Sequence, residues 1–488
     1  MAAAALARTR SALTAFSVII NDVVSFLVFS FLDLLDLILC YAYRIADYMI
    51  ESEWKPCYCT SALEAINGSG GNILVSERGE LAKVVRLSSS RLQLEDVSDT
   101  LYSRPSLVAD VSQSTVKRLA SRSSSRSYSV RQQKRFGTAR TSGSGFRLNS
   151  NIVEMLKDRI VGMKPHPIPR WSDCNCKCCT SWTDSRSKSL FVRSKGAKGY
   201  TKEDVLFIHG FISSSTFWSE TVYPNLSESA KSSRRFFAVD LLGFGRSPRP
   251  TDSLYTLREH VEMIEKSVVE AHKVKSFHIV AHSLGCILAV ALAVRHPQSV
   301  KSLTLLAPPY YPVPEGEQAT QYVMRKVAPR RVWPLIAFGA SIASWYEHIS
   351  RTVCLLICKN HRLWEFLHKL LGINSIPMFL LEGFFCHTHN AAWHTLHNII
   401  CGTAGKMDGY LSTVNNSMEC DVNIFHGEYD ELIPVECSYN VQRKIRRARV
   451  RVIEKEDHIT IVVGREKAFV KELEDIWKKS PSIGHQES

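Results

Sequence analysis

The chain has 488 residues, a hydrophobic fraction of 45% and a formal net charge of +14. That length exceeds one compact domain of ordinary size and fits one large domain with extensions, and the apolar content rules out a wholly disordered chain and supplies a sizeable core. The excess of positive charge points to a polyanionic neighbour (nucleic acid, anionic lipid or acidic polysaccharide).

Residues 1–50 read as an apolar leader, a signal peptide or an anchor. Arg8 and Arg10 precede a long apolar run, as in an export signal. Asp22, Asp33 and Asp36 interrupt that run. At 100° per residue the three fall within about 60° of one another, with Ser25 and Phe29 near the same face. A clean bilayer span carries three carboxylates only at high cost. An export signal with an irregular pattern is the plainer reading, and an uncleaved anchor or interfacial helix is the other; Cys40 is a candidate for acylation beside a membrane.

Residues 51–150 read as a mostly disordered, basic linker rich in Ser and Arg, as in "RLASRSSSRSYSVRQQKR". Between Val111 and Ser150 there are nine Lys or Arg and no Asp or Glu. Such a tract is a spacer or a tether for acidic wall polysaccharide or anionic lipid headgroups. Nucleic acid is disfavoured, because few aromatic residues are interleaved and the leader points to export. Residues 151–187 form a lead-in containing "CNCKCC", with Cys174, Cys176, Cys178 and Cys179; Cys57 and Cys59 make another close pair. In an oxidising compartment these are disulfide partners. A thiolate metal site is the rival, although the spacing is tighter than that of zinc fingers. Sequons at Asn67, Asn225 and Asn415 agree with secretion.

From 188 the pattern changes. "SLFVRS", "DVLFIHG" and "RFFAVDLLGFG" predict strands, "LREHVEMIEKSVVEAHK" a helix, "FHIVAHS" a strand, "GCILAVALAVRHP" a helix and "VKSLTLLAPP" a strand. After an insertion, "DVNIFHGEYD" and "RVRVIEKEDH" predict two more strands and "REKAFVKELEDIWKK" a last helix. Apolar strands alternating with helices predict an α/β fold, a mostly parallel sheet covered on both faces, with ligands bound at the carboxyl ends of the strands. The core is expected at 188–310 and 420–480, with a helical cap at 311–419. That cap holds Trp333, Trp345, Trp364 and Trp393. An apolar cap suits an acyl chain, though most of these aromatics are expected to form the cap's own core.

Ser283 lies in A-H-S-L-G, close to the G-x-S-x-G elbow that presents a hydroxyl on a sharp strand-to-helix turn. Ala281 replaces the first glycine and is also small. A serine hydroxyl needs a base, and the base needs a carboxylate to orient it. Asp430 follows one late strand and His458 the last, in the order Ser, acid, His. Glu428 is the reserve acid, Asp457 a loop residue and His282 a packing residue. The oxyanion of a tetrahedral intermediate would be met by the backbone N–H groups of Leu284 and Phe211, the latter in "HGFISSS", a loop shaped by His209 and Gly210. His387, His389, His394 and His397 show no strict metal-ligand pattern, and the chemistry calls for no cofactor or metal.

The pieces "FIHGF", "DLLGFGRS", "AHSLG", "HGEYDELIP" and "EDH" resemble the α/β-hydrolase superfamily over about 188–480. Together with the leader, "CNCKCC" and the basic linker, they resemble the plant Bodyguard family, lysophospholipase-like cuticle proteins. The resemblance implies an extracellular, wall-associated protein of cutin or wax assembly, anchored to a membrane if the leader is retained. It implies a serine hydrolase of lipid or fatty-acyl esters, or a cutin-related acyltransferase if an alcohol replaces water. A silent hydrolase scaffold that binds lipid or wall polymer is the alternative; the complete Ser-Asp-His set argues against it. An epoxide hydrolase or dehalogenase would carry Asp at the elbow.

Overall fold

Seven short apolar runs pair side by side in the computed structural model, which describes residues 2–51, 72–76, 82–86, 91–93, 98–102, 189–197, 203–250, 253–371 and 377–479. Three strands of a separate small sheet come first, β1 (Asn72–Ser76), β2 (Ala82–Arg86) and β3 (Arg91–Gln93). The main sheet comprises β4 (Val192–Gly196), β5 (Glu203–Ile208), β6 (Arg234–Val239), β7 (Phe277–His282), β8 (Val300–Leu306), β9 (Asp421–Gly427) and β10 (Arg449–Ile453). Its order is β10-β9-β8-β7-β5-β6-β4. Every neighbouring pair is parallel except β4 with β6. This is the expected α/β-hydrolase fold.

The central strands are mostly apolar because both faces are covered, with buried polar side chains such as His278 and Ser302 meeting at 2.8 Å. Side chains alternate across a strand, so Val205 and Phe207 enter one core while Leu206 and Ile208 enter the other. Helices α1 (Ala2–Glu51), α2 (Thr216–Thr221), α3 (Glu228–Ser233), α4 (Leu257–Ile264) and α5 (Leu284–Arg295) precede the cap. α4 starts where Thr256 and Glu259 form a reciprocal capping box. α5 buries ten of its residues, mostly small or aliphatic. The cap comprises α6 (Ala319–Val327), α7 (Leu335–Trp345), α8 (Glu347–Ile357), α9 (His361–Leu370), α10 (Met378–Phe385), α11 (His389–Thr395) and α12 (Met407–Ser417). α13 (Glu436–Lys444) and α14 (Glu466–Lys479) complete the core, α14 burying Phe469, Leu473 and Trp477 at four-residue spacing.

Within 51–150, expected to be mostly disordered, β1, β2 and β3 pair antiparallel. The turn Asp99–Tyr102 docks on the cap, where Asn398 Oδ1 accepts from Ser98 N at 2.9 Å and Leu101 is buried. Cys40 is not an exposed acylation site, because it is 1% exposed on the docked face of α1. The cap tryptophans divide: Trp345 and Trp393 are core, whereas Trp333 and Trp364 are exposed. "CNCKCC", Cys57, Cys59, Asn67 and the basic tract lie outside the described residues. Cys286, Cys354, Cys358, Cys386, Cys420 and Cys437 carry free thiols.

Candidate active site

β7 ends at His282 and α5 begins at Leu284, leaving Ser283 alone to make the turn. Its φ of 53° and ψ of −124° lie in a region that costs a residue with a Cβ roughly 1–3 kcal/mol. The surroundings hold it there: Ser283 N donates to Leu306 O at 2.8 Å, and Cys286 N donates to Ser283 O at 2.8 Å. Gly285 is required by proximity, since a Cβ there would stand 2.6 Å from His209 O and 2.8 Å from Ile208 O. The helix thus lies directly on the end of β5, and Ala281, fully buried, is small enough for the other side of the turn.

The loop after β5 reaches the same place. A Cβ on Gly210 would lie 3.2 Å from Ser283 Cβ. His209 holds that loop: Leu241 N donates to its Nε2 at 3.0 Å, leaving Nδ1–H to donate to Gly210 O at 2.7 Å. Burial pushes the His209 imidazole toward its neutral form, which this pairing needs. Phe211 follows, and Leu284 N is the first N–H of α5, which an α-helix leaves without an intrahelical partner. The cap meets this loop too. Gly383 of α10 lies so close that a Cβ would stand 3.3 Å from Ser213 Cα.

Beyond β9, Asp430 accepts from Leu432 N at 2.9 Å and Ile433 N at 2.8 Å through Oδ1. Its other oxygen, Oδ2, lies 2.6 Å from His458 Nδ1. Burial alone would raise the Asp430 carboxyl, but hydrogen bonds from His426 and His458 and the adjacent backbone N–H outweigh it, and the group is held well below the usual carboxylate range. Asp430 and His458 are therefore joined. His458 is tied to the elbow through His282, whose Nε2–H donates to His458 O at 2.9 Å. Among the described residues no hydrogen bond joins Ser283 Oγ to His458; such contacts are commonly loose without substrate and tighten when it binds.

His282 stacks on Phe217 with centroids 5.2 Å apart, and burial pushes its imidazole down to about 3. It packs and positions, as its place beside the elbow implies. Glu428 is exposed and accepts from Lys455 N, away from His458. Asp457 accepts from Ile459 N and Thr460 N within its own loop. His426 has a part that the sequence reading overlooked. It is fully buried, 2.6 Å from Ser438 Oγ and 2.7 Å from Ile433 O, with Nε2 3.4 Å from Asp430 Oδ2. The available signal was its place in "FHGEYD", at the end of the strand that delivers the acid.

The four cap histidines do not form one cluster. His397 pairs with Thr100, while His387 meets Cys354 and Cys358. Those two thiols and His387 Nε2 lie within 4.8 Å of one another, and His387 Nδ1–H donates to Phe384 O, aiming Nε2 at the sulfurs. Two sulfurs and an imidazole are donors suited to zinc, and the trio is separate from Ser283, Asp430 and His458.

A parallel sheet with a strained serine at the strand-to-helix turn, and an aspartate–histidine pair on later loops of the same edge, defines the α/β-hydrolase class. A family model for the alpha/beta hydrolase fold matches residues 205–464. Two Arabidopsis thaliana proteins align over almost the whole chain. "Probable lysophospholipase BODYGUARD 3" is 57% identical over 98% of this chain and 99% of its own, and "Probable lysophospholipase BODYGUARD 1" is 54% identical over 95% and 98%. A solved esterase from Exiguobacterium antarcticum superposes with a TM-score of 0.42 at 17% identity, covering 59% of this chain and 95% of that one. The chain belongs to the α/β-hydrolase family and, within it, to the Bodyguard group.

Proposed function

We propose that this protein is a serine hydrolase of long-chain acyl esters. The Asp430–His458 pair beside the strained Ser283 turn carries the reading. Neutral His458 takes the proton of Ser283 Oγ as that oxygen attacks the acyl carbonyl. Asp430 orients the ring and stabilises the imidazolium that forms. The N–H groups of Leu284 and Phe211 receive the oxyanion. His458 then gives its proton to the leaving alkoxide, leaving an ester on Ser283. Water, deprotonated by the same imidazole, attacks that ester; the bond to Ser283 Oγ breaks, the imidazolium returns its proton to that oxygen, and the free acid leaves. An alcohol such as a hydroxy fatty acid in place of water would make the same site an acyltransferase.

The long-chain preference rests on the apolar cap over the oxyanion loop and on the names of the Arabidopsis relatives. Lysophosphatidylcholine and a series of p-nitrophenyl esters test it. Cleavage is expected to rise with chain length, and a stalled serine acyl ester should be trapped on the peptide holding Ser283. Preference for acetate, or no trapped acyl group from folded protein, would favour the scaffold reading. We also propose a place at the epidermal cell wall, in cuticle formation, with the basic tract of 111–150 bound to acidic polysaccharide. Retention on pectate should be strong at low salt and lost at high salt, because exposed charges are screened; equal retention at both would remove the wall polymer from the reading.

A further inference from the structure

The N-terminal helix is built the wrong way round for water. Its buried positions are Ser25, Phe29, Leu32, Asp36, Cys40, Tyr43 and Asp47, spaced by three and four residues along one stripe. The outward face is apolar: Phe31, Leu34 and Ile38 are each more than half exposed. A surface helix in water turns its apolar stripe inward and its polar face out. Inverted patterning belongs to a helix whose outer face meets lipid, where ionisable groups turn inward and pair.

The inward groups are paired, all with the cap. Asp33 Oδ1 accepts from Arg330 and from Tyr346 Oη, each at 2.7 Å. Asp36 accepts from His348 N and Ile349 N, at the start of α8, and lies 3.1 Å from His348 Nδ1. Asp47 takes a forked pair from Arg351 at 2.8 and 3.1 Å. Ser25 Oγ accepts from Val332 N at 3.0 Å. These contacts bind the helix lengthwise to the cap over about 33 Å, at 1.5 Å per residue.

The cap adds exposed apolar side chains, beginning at α7, whose Phe338 meets Phe29 of α1 with ring centroids 5.9 Å apart. Trp333 and Leu335 are each 66% exposed at the start of α7. On α9, Leu363, Phe366 and Leu370 form one exposed stripe, flanked by Arg362 and Lys369. An amphipathic helix of that kind lies in the interface between headgroups and acyl chains. A helix strapped lengthwise to a folded domain fits a position along a bilayer surface rather than across it.

We propose that α1 stays in the mature protein as a structural partner of the cap, and that its outer face joins α7 and α9 in one surface seated in a lipid bilayer. The inference does not rest on Ser283 and holds whether or not that hydroxyl reacts. The test uses the full chain with a C-terminal tag, passed through the secretory pathway of plant cells. Its N-terminal peptide is identified by mass. The protein is then mixed with phosphatidylcholine vesicles whose acyl chains are brominated, and tryptophan emission is read for wild type and for the Trp333→Phe variant. The expected result is a retained α1, strong quenching of wild type and loss of most of that quenching in the variant. Mature protein beginning after residue 50 would overturn the proposal. So would a retained helix with equal quenching in both proteins, or with none, because the cap would then lie outside the lipid.

Discussion

Ser283→Ala should abolish both ester turnover and labelling by a fluorophosphonate while the protein stays folded. Removing the nucleophile of a serine triad lowers kcat by about a millionfold. The fold should survive because alanine keeps the Cβ. The backbone strain at φ 53° is then unchanged, and the bonds that hold the turn come from the backbone. Asp430→Asn should lower kcat by about ten-thousandfold, since an amide holds the imidazole in the wrong tautomer. The decisive comparison is labelling of wild type and variant at matched melting temperature. Labelling that persists in Ser283→Ala would place the reactive group elsewhere, and unchanged turnover would end the mechanism.

The second large effect lies far from the chemistry. Asp36→Ala should destabilise the cap by about 3 kcal/mol, because it strands a buried cation and uncaps a helix at once. The imidazole of His348 and the first N–H groups of α8 all use that carboxylate. Asp22→Ala, on an exposed position of the same helix, should change stability by less than about 0.5 kcal/mol. Burial alone would lower the His348 imidazole, but Asp36, Cys40 and Glu347 outweigh it and push it up to about 10. The folded value thus lies above the unfolded 6.5, so this contribution is full below pH 6.5 and is lost as pH rises toward about 10. Denaturant midpoints of wild type should fall across that window, and those of Asp36→Ala should fall less. Equal midpoints for Asp36→Ala and Asp22→Ala would mean that α1 contributes nothing to the folded cap.

These two predictions differ in how far the sequence exposed them. The elbow was legible because its requirements are local: a small residue two places before and after Ser283, a strand ahead, a helix behind. The alternation of apolar runs exposed the sheet, because strands covered on both faces are rich in apolar residues. The order Ser283, Asp430, His458 followed from which loops end strands on one edge. The acidic stripe of the leader was visible as a pattern, but its partners were not. Asp36 and His348 are 312 residues apart, and no periodicity links them. The same limit hid His426, whose neighbours are set by the curl of the loop after β9. The strands of β1 to β3 were lost because a Ser-rich, basic stretch dominates the composition around them.

The turn at Asp99–Tyr102 has a consequence for how the chain can be cut. That turn is fixed to the cap through Asn398 and His397. The chain is fixed again at Leu190 and Phe191, whose N–H groups donate to Ser267 and Ser247. Residues 103–188, which include the basic tract, lie in sequence between these two points of attachment. A single cut between the two attachments would therefore leave both fragments fixed to the folded body. The product would be two polypeptides still assembled, the shorter clasped by Arg330, His348 and Arg351. Covalent continuity and assembly can thus be separated, and a two-chain form would keep the N-terminal helix.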